Sequence, residues 1–427
     1  MDSLKAKISD KESTYQRLIR RELSIAVIGI GYVGYPLVEA LSKKFNVIAY
    51  DNDSQKISDL KMENTFFTTR EKDLAKATVY IITFPTPINE DKSPNLFCIK
   101  EATKAIGRNM KKGSVIIYES TVAPGTTERV CKELLETTSK LAFEKDFSLG
   151  YSPERISPGT DDATLKEINK IVSASDKKTL RLISQLYREI LNSKIVEVSS
   201  IKVAETSKIV ENIQRDVNIA LMNELSKNFY DTDIDFREVL AAAATKWNFM
   251  EVKPGLVGGH CIGVDPYYFI DYSKKEKMNI KLIELSRKIN ESEITFILEL
   301  INDYSKKNNY QNCSIGVFGI AYKENIGDIR NSKMLDLCNL LLENKKMELS
   351  IIDFEVPHGI CSEKIEKCRV SNISNKSFDI VLIGNSHGSF DTLRHHWSKI
   401  THSNSKIIDL TGKYETWFSS DVEYRHL

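Results

Sequence analysis

Short apolar runs alternate with helical patterns through the first part of the chain. Leu23–Ile28 is the first such run, and a helical pattern follows it over Val33–Lys44. Further apolar runs cover Asn46–Asp51, Val79–Phe84 and Val115–Tyr118. Strands that are apolar on both faces are typical of a parallel sheet covered by helices on each side. Because these strands alternate with helices, the pattern predicts a parallel, doubly wound sheet.

A long helical stretch, Ile201–Tyr230, separates this region from a second pattern of strands and helices. On the predicted helix, one face is polar and another is apolar; the polar face carries Glu205, Lys208, Asn212 and Arg215, and the apolar face carries Val210, Ile213, Val217 and Leu221. Beyond it, a helix is predicted near Met334–Glu343, and strands are predicted at Ser314–Ile320, Leu349–Phe354, Asp379–Ile383 and Ile407–Leu410. We therefore expect two α/β lobes joined by helices, with the long helix as a spine and a dimer surface.

Charge and cysteine content narrow the class of protein. The net charge of +1 gives no bulk field to attract nucleic acid or an anionic membrane, so an anionic substrate needs locally placed cations. The seven cysteines contain no CxxC pair, which argues against a disulfide framework or a metal site and for a reducing cytoplasm. Met1–Arg21 is polar and shows no signal peptide, and glycines, a proline and Glu39 interrupt the apolar stretch Leu23–Leu41, which otherwise resembles a membrane span.

A glycine motif follows the first predicted strand. Gly29, Gly31 and Gly34 have the spacing that permits a tight turn, close approach of a pyrophosphate and close helix packing. Asp51 ends the next strand, where a carboxylate binds an adenosine ribose and disfavours the 2′-phosphate of NADP. The alternative is a purely structural turn, but the strand before the motif and the helix after it favour an NAD site.

A second glycine motif surrounds Cys261. Flanking glycines expose the sulfur, and a thiolate there can hold an aldehyde as a thiohemiacetal that a second oxidation converts to a thioester. Asp265, four residues later, is a candidate base or water-orienting group. A buried loop cysteine is the alternative, and this segment alone does not decide between the two.

Four further positions have the residue types that such a reaction needs. Lys208 and Asn212 lie one helical turn apart and can stabilise negative charge on a substrate oxygen, although an isolated pair of this kind is more often a solvated helix face. Thr121 follows a strand, at the edge where ligands bind in such sheets. Glu154 is placed similarly and could assist thioester hydrolysis, with a surface carboxylate as the alternative.

The segment Gly319–Ser332 predicts an anion site in the second lobe. It joins a strand, a loop containing Lys323 and Arg330, and a capped helix start. Such a site suits a nucleotide diphosphate, and an ordinary capped loop is the alternative.

Taken together, these motifs resemble the UDP-glucose/GDP-mannose dehydrogenases from about Leu23 to Leu410. GxGYVG, STVxPGTT, the Lys-x-x-x-Asn helix, GGHCxxxDP and FGxxYKxNxxDxRNS occur in the family's order. The resemblance implies an NAD-dependent enzyme of two Rossmann-like doubly wound parallel-sheet lobes, joined by a long central helix and a helical dimerisation region. It implies a polar extension over 1–22, an NAD-binding domain over 23–200, a central domain over 201–300 and a UDP-binding domain over 301–427.

The resemblance also implies residue roles. Cys261 is expected to be the nucleophile, with further catalytic roles for Lys208, Asn212, Asp265, Thr121 and Glu154. Cofactor contacts are expected from Gly29, Gly31, Tyr32, Val33, Gly34, Asp51, Pro85, Thr86, Ser120, Thr121 and Arg330. Substrate contacts are expected from Glu154, Arg155, Lys208, Asn212, Arg215, Gly258, Gly259, His260, Tyr322 and Lys323. No metal is expected.

Several segments are similar to the UDP-N-acetylhexosamine 6-dehydrogenases of surface-polysaccharide pathways, namely SPERISPG, RDVNIALMNEL, KWNF and GLVGGHCIGVDPYY. UDP-glucose enzymes of the family often carry a carboxylate where this chain has Pro158. The expected reaction is the four-electron oxidation of UDP-GlcNAc or UDP-GalNAc at C6, by a cytoplasmic homodimer. The alternatives are a UDP-glucose 6-dehydrogenase, a two-electron hydroxyacid dehydrogenase and a non-catalytic nucleotide-sugar-binding protein.

Overall fold

The computed structural model describes residues 13–155, 168–373, 376–419 and 422–427. It divides into two compact units, Met1–Glu211 with Tyr267–Lys277, and Asn212–Pro266 with Met278–Leu427. Most of the predicted polar extension, 1–12, and the part of the SPERISPG segment from 156 onward lie outside the described residues. Within the described residues, no helix is long and apolar enough to cross a membrane.

The first unit is built on an eight-stranded sheet with the order β3-β2-β1-β4-β5-β6-β7-β8 among its described residues. Its strands are β1 Ser24–Ile28, β2 Asn46–Tyr50, β3 Thr65–Thr68, β4 Ala77–Ile82, β5 Ser114–Tyr118, β6 Phe147–Tyr151, β7 Lys170–Ala174 and β8 Ile195–Glu197. The strands predicted from the apolar runs are β1, β2, β4 and β5, each within two residues of the predicted bounds.

Alternate residues of these strands enter two separate cores, one on each face of the sheet. Ile25 and Val27 belong to one apolar cluster, and Ala26 and Ile28 belong to the other. Because successive side chains of a strand point to opposite faces, a strand covered by helices on both sides must be apolar throughout. This confirms the predicted layer arrangement.

Two strands differ in direction from the prediction of an all-parallel sheet. β7 pairs with β6 in the antiparallel direction, through Gly150 with Ala174 and Tyr151 with Ser173. Because β8 is parallel to β7, both strands run opposite to the other six. A strand buried on both faces is apolar whichever way it runs, so the sequence pattern contains no signal for this reversal.

The second unit contains a five-stranded parallel sheet among its described residues, with the order β10-β9-β11-β12-β13. Its strands are β9 Cys313–Phe318, β10 Met347–Ile352, β11 Ile380–Ile383, β12 Lys406–Asp409 and β13 Glu423–His426. Here too the two faces have separate cores, since Ile380 and Leu382 belong to one apolar cluster and Val381 and Ile383 to the other. The prediction of a second α/β lobe is confirmed.

The described α-helices complete both units. They are α1 Thr14–Ile19, α2 Gly34–Ser42, α3 Phe97–Asn109, α4 Lys132–Ser139, α5 Lys177–Ile190, α6 Ile201–Phe229, α7 Phe236–Ala244, α8 Asp265–Lys275, α9 Lys281–Lys307, α10 Lys333–Glu343 and α11 Glu363–Cys368. The long predicted helix is α6.

The burial of α6 departs from that of a simple amphipathic helix, although Arg215 is exposed and Ile213 is buried. Its polar residues Glu205, Lys208 and Asn212 are buried, whereas Val210 and Leu221 of the apolar face are 50% and 51% exposed. Buried polar groups need specific partners, and exposed apolar groups lack cover within one chain. The polar face of α6 is therefore a candidate site, and its apolar face is a candidate interface.

Candidate active site

The turn after β1 has the geometry that a dinucleotide phosphate requires. Gly29 has a positive φ of 99°, and an added Cβ at Gly34 would lie 1.8 Å from the Gly29 carbonyl oxygen. The Thr83 hydroxyl donates to the same carbonyl at 2.6 Å. Around the Cβ direction of Gly31, nothing lies within 4 Å, so this side of the turn is open to a ligand. The three glycines therefore serve the turn, the packing and the approach separately.

Asp51 is buried at the end of β2, close to the glycine turn. One of its carboxylate oxygens accepts the Ile30 amide at 2.8 Å, and the other accepts the Asp53 amide at 3.0 Å. Lys56 approaches it at 3.7 Å. Each carboxylate oxygen has a second lone pair, so the group can also accept from the hydroxyls of a ribose. The buried hydroxyl of Ser120, at the end of β5, has no hydrogen-bond partner among the described residues. These features fit NAD.

The ends of β4 and β5 lie side by side, as the strand pairing requires. The Thr86 hydroxyl, after β4, donates to the Thr121 carbonyl at 2.6 Å. The Tyr268 hydroxyl donates to the Thr86 carbonyl at 2.9 Å. The structure thus brings Thr86, Ser120 and Thr121 together at the carboxyl edge of the sheet, which is where ligands bind in such folds.

Glu154 and Arg155 follow β6 at the same edge of the sheet. The Glu154 carboxylate accepts the Arg155 amide at 2.7 Å and the Lys170 ammonium at 2.9 Å. The Arg155 guanidinium pairs with Glu211 on α6 at 2.7 Å. Glu154 is therefore a partly buried carboxylate in a fixed orientation and not the surface group that was its alternative.

In the first unit, α6 contributes two buried ionisable side chains, Glu205 and Lys208. Glu205 accepts the backbone amides of Gly125 and Thr127, at the start of the π-helical turn Thr127–Cys131 that leads into α4. Burial raises the pKa of Glu205 to about 7, against the lowering effect of those hydrogen bonds. Lys208 lies one turn farther along the same helix, so the solvated-face alternative does not hold for it.

The loop that contains Cys261 belongs to the second unit. Cys261 is partly exposed, and its carbonyl accepts the amides of Val264 and Asp265 at 3.1 and 2.8 Å. These bonds form the turn from which α8 begins. The sulfur is not sealed in an apolar core, which was the alternative for this residue, and a partly exposed thiol is accessible to a substrate.

Asp265 is the first residue of α8 and is buried. The Asn212 side-chain amide donates to its carboxylate at 2.5 Å. Asn212 is itself buried, and the second N–H of an amide group can serve another acceptor. The structure thus joins two of the predicted catalytic residues, which are 53 positions apart in the chain.

The glycines before Cys261 pack against the loop that contains Tyr322. A Cβ at Gly259, where φ is +76°, would lie 2.6 Å from the Tyr322 ring, and the His260 ring meets the same tyrosine edge-on at 5.9 Å. The Asn331 amide donates to the Gly259 carbonyl at 2.9 Å. Side chains larger than hydrogen at Gly259 would therefore push the cysteine loop away from the loop of the second lobe.

A cavity of about 660 Å³ opens beside Lys323 in the second unit. Arg237, Lys253 and Lys413 also line it, and its apolar walls include Phe249 and Val252. Its size and its mixture of cations and apolar side chains suit a nucleotide. The Glu324 carboxylate accepts from the Lys413 ammonium at 2.9 Å. Hydrogen bonds from Ser386, and then from Lys413, lower the pKa of Glu324 below its usual value.

Two predicted residues lie in more open surroundings. Arg215 on α6 is exposed. Arg330 is half-exposed, and its guanidinium pairs with Asp328 two residues earlier. The hydrogen bonds from Arg330 outweigh burial and lower the pKa of Asp328. The roles of both arginines stay predictions.

Three profiles of one family match the sequence. They describe the NAD binding domain of the UDP-glucose/GDP-mannose dehydrogenase family over residues 23–191, its central domain over 202–292 and its UDP binding domain over 316–416. The chain belongs to the UDP-glucose/GDP-mannose dehydrogenase family. The resemblance inferred from the motifs is therefore confirmed, and this dehydrogenase uses NAD and a UDP-sugar.

Curated relatives narrow the branch of the dehydrogenase family. The UDP-N-acetyl-D-glucosamine 6-dehydrogenase of Pseudomonas aeruginosa is 38% identical over 391 residues, which cover 87% of this chain and 92% of the relative. Protein CapL of Staphylococcus aureus is 36% identical over 406 residues, covering 91% and 96%.

Solved structures agree with the fold of this dehydrogenase. The UDP-D-ManNAc dehydrogenase of Pyrococcus horikoshii has a TM-score of 0.82 at 27% identity, covering 95% of this chain and 99% of that one. The UDP-N-acetyl-mannosamine dehydrogenase Cap5O of Staphylococcus aureus has a TM-score of 0.80 at 28% identity, covering 94% and 98%.

Sequence reasoning missed the residues that support the predicted ones in this dehydrogenase. Asn223 accepts the Gly255 amide at 2.7 Å and donates to its carbonyl, which fixes the start of the cysteine loop. Glu119 and Lys170 lie buried behind Glu154. Lys170 is a charged residue at the start of a buried strand that continues with Ile171 and Val172, and that contrast was the available signal.

Proposed function

We propose that this dehydrogenase oxidises the C6 alcohol of a UDP-N-acetylhexosamine, UDP-GlcNAc or UDP-GalNAc, to the carboxylate. The observation that carries the proposal is the partly exposed Cys261 in a loop whose glycines pack against Tyr322. Oxidation of an alcohol to an aldehyde or a ketone needs no thiol, whereas oxidation of the aldehyde onward to an acid can proceed through a thiohemiacetal and a thioester. The substrate branch is supported by the relative from Pseudomonas aeruginosa, a UDP-N-acetyl-D-glucosamine 6-dehydrogenase.

In the proposed reaction, removal of the first hydride from C6 gives an aldehyde, which the Cys261 thiolate attacks. Removal of the second hydride from the thiohemiacetal gives a thioester, and water then releases the carboxylate and the thiol. NAD, when bound, accepts the hydride in each oxidation. Gly29, Gly31, Gly34 and Asp51 hold the cofactor, with contributions from Tyr32, Val33, Pro85, Thr86, Ser120 and Arg330.

The remaining roles follow from the chemistry of each side chain. Lys208 and Asn212 stabilise negative charge on the oxygen at C6. Asp265, oriented by the Asn212 amide, accepts the proton of the alcohol or orients water. Thr121 serves the hydride steps, and Glu154 accepts the proton of the hydrolytic water.

We propose that the cavity beside Lys323 holds the nucleotide diphosphate, since phosphates favour the several cations that line it. Sugar contacts come from Arg155, Arg215, Gly258, Gly259, His260 and Tyr322. In this proposal, residues 23–200 bind NAD, 201–300 form the central domain and 301–427 bind the nucleotide sugar. The product serves a capsule, an O-antigen or another surface polysaccharide.

We also propose a cytoplasmic homodimer. A nucleophilic thiol must stay reduced, which a cytosolic compartment ensures. Dimerisation through the central helices is supported by large exposed apolar side chains, among them Leu221, Trp247 and Leu282.

The deciding experiment measures NADH released per product with UDP-GlcNAc, UDP-GalNAc, UDP-glucose and GDP-mannose, with product mass determined in parallel. Two NADH per hexosaminuronic acid are expected with an N-acetylated UDP-sugar. Turnover of UDP-glucose alone would overturn the substrate branch. Release of one NADH with an aldehyde or ketone product would overturn the four-electron reaction.

The matched variants are Cys261→Ala and Cys368→Ala. Cys261→Ala should abolish formation of the acid, because no thioester forms. Cys368 is a partly buried cysteine on α11, and its variant controls for general effects of losing a thiol. Cys368→Ala should still release two NADH per acid formed. Equal acid formation by both variants would remove Cys261 from the mechanism.

A further inference from the structure

Behind Glu154 lies a buried array of charged groups that the proposed mechanism does not use. Lys170, the first residue of β7, is only 4% exposed. Its ammonium lies 2.9 Å from a Glu154 carboxylate oxygen and 3.0 Å from a carboxylate oxygen of Glu119, the residue after β5. The two carboxylates therefore share one buried cation.

Each N–H group of the Lys170 ammonium has an acceptor. An ammonium has three N–H groups, and here they point to Glu119, Glu154 and the Pro153 carbonyl, the last at 3.4 Å. The ammonium also lies over the Tyr187 ring, 5.0 Å from its centroid. The Tyr187 hydroxyl donates to the other carboxylate oxygen of Glu119. Contacts other than the one with Glu154 therefore also fix the position of the Lys170 ammonium.

Glu154 is fixed by this array in turn. Its second carboxylate oxygen accepts the Arg155 amide at 2.7 Å, so both oxygens have a donor among the described residues. A general base must face its proton within hydrogen-bond reach, and a carboxylate held from two sides does not turn away.

The Glu119 carboxylate also offsets part of the positive charge that Lys170 places next to Glu154. A cation paired with Glu154 alone would favour its ionised form and weaken it as a base. Because Glu119 shares that cation, the local charge near Glu154 is less positive. Burial raises the pKa of Glu119, and the nearby Glu154 carboxylate adds to that effect. Burial alone would lower the pKa of Lys170, but its two carboxylate partners raise that pKa overall.

We infer that Lys170 and Glu119 are positioning residues for thioester hydrolysis, acting through Glu154. In that step a bond forms between the water oxygen and C6, and the bond between C6 and the Cys261 sulfur breaks. Its electron pair stays on the sulfur, and one proton of the water passes to Glu154. Nothing is oxidised or reduced. The inference rests on the hydrolytic role proposed above for Glu154.

The test uses the full-length enzyme with UDP-GlcNAc, or whichever sugar it turns over, and NAD. Lys170→Met should leave the initial burst of NADH intact and slow steady-state turnover on the order of 10- to 100-fold, less than the loss of a general base itself. Intact protein mass after acid quenching should then show the hexosaminuronyl adduct on Cys261. Lys170→Arg keeps the charge and should recover part of the hydrolysis rate.

Two further variants keep the test decisive if Lys170→Met folds poorly. Glu119→Gln preserves shape and removes one carboxylate charge, so it should also accumulate the adduct. Lys406→Met removes another buried lysine, which pairs with Glu423 at 3.2 Å in the second unit, and should accumulate none. A purely structural role for Lys170 would give the same result in Lys170→Met and Lys406→Met.

Glu154→Gln separates this inference from the function on which it rests. No adduct in Glu154→Gln would overturn the hydrolytic role of Glu154. An adduct in Glu154→Gln but none in Lys170→Met or Glu119→Gln would overturn only the positioning role. Equal slowing of the NADH burst and of turnover in Lys170→Met, without an adduct, would also overturn it.

Discussion

At the scale of single residues, the glycine turn separates folding from cofactor binding. A Cβ at Gly34 would lie 1.8 Å from the Gly29 carbonyl oxygen, so Gly34→Ala forces β1 and α2 apart. We expect Gly34→Ala to lower the free energy of unfolding by about 2 kcal/mol or more, because overpacking of a buried contact cannot relax locally. Thermal unfolding without ligand measures this.

Gly31→Ala is the matched control for that prediction. Nothing lies within 4 Å of its Cβ direction, so the thermal midpoint should stay within a few degrees of the original. The added methyl group should instead weaken NAD binding, measured by calorimetry, because the pyrophosphate approaches this backbone. Equal destabilisation by both substitutions would contradict the separation of roles.

The residue types of the motifs were enough to predict part of the site. The contacts between residues far apart in the chain could not be predicted from them. The glycine turn and the Cys261 loop could be predicted because the conformations they need restrict the residue types locally. The pairing of Lys170 with Glu119 could not, because the two residues are 51 positions apart and no motif links them, although Lys170 stands out at the start of its strand. Charge compensation in a buried site depends on which strands become neighbours, and local sequence does not encode that.

At the scale of elements, the start of the helical segment after β5 depends on a buried carboxylate. Glu205 on α6 accepts the amides of Gly125 and Thr127, and burial raises its pKa to about 7. The folded state therefore binds more protons than the unfolded chain between about pH 4.5 and pH 7. Over that window, the contribution of Glu205 to the free energy of unfolding falls as the pH rises, by about 3 kcal/mol.

Glu205→Ala isolates this contribution. The wild-type enzyme should exceed the variant in stability by more at pH 5 than at pH 8, because the neutral carboxyl keeps hydrogen bonds without the cost of a buried charge. Thermal midpoints of both proteins at the two pH values measure the difference. An offset that is the same at both pH values would show that Glu205 does not titrate in this range.

Two serine caps give a matched pair at the same scale. Ser332 precedes α10, accepts the Leu335 amide at 3.3 Å and donates to the Ile320 carbonyl at 2.6 Å. Ser332→Ala should lower the free energy of unfolding by about 1 to 2 kcal/mol, because two buried hydrogen bonds are lost. Ser362 precedes α11 without a capping hydrogen bond from its side chain, so Ser362→Ala should change stability by less than about 0.5 kcal/mol. Chemical denaturation compares them.

Element types could be predicted wherever the apolar period was clear, as in β1 or α6. The reversed direction of β7 and β8 could not be predicted, nor could the burial of three polar residues of α6, Glu205, Lys208 and Asn212. Both depend on partners brought by the fold, as when Asn212 meets Asp265. The periodicity of apolar residues predicts which face of an element is apolar. It does not predict whether that face packs inside one chain or against another chain.

At the scale of the whole molecule, the central helices carry large apolar side chains that one chain does not cover. Leu282 and Leu285 on α9 are 64% and 54% exposed, and Trp247, in the turn after α7, is 92% exposed. Met250 lies against α6, where the Asn218 amide meets its sulfur at 3.2 Å. In a two-fold dimer the same patch is buried on both subunits, so each exposed leucine counts twice.

We therefore predict that the double variant Leu282→Glu/Leu285→Glu is monomeric, whereas the unmodified enzyme sediments as a dimer. Burying two unpaired carboxylates per subunit costs several kcal/mol, enough to remove most of the affinity of an ordinary interface. Sedimentation velocity over a range of concentrations measures the change. Ile360→Glu, at an exposed apolar position outside the central helices, should leave the dimer intact. A double variant that keeps the sedimentation coefficient of the unmodified enzyme would place the interface elsewhere.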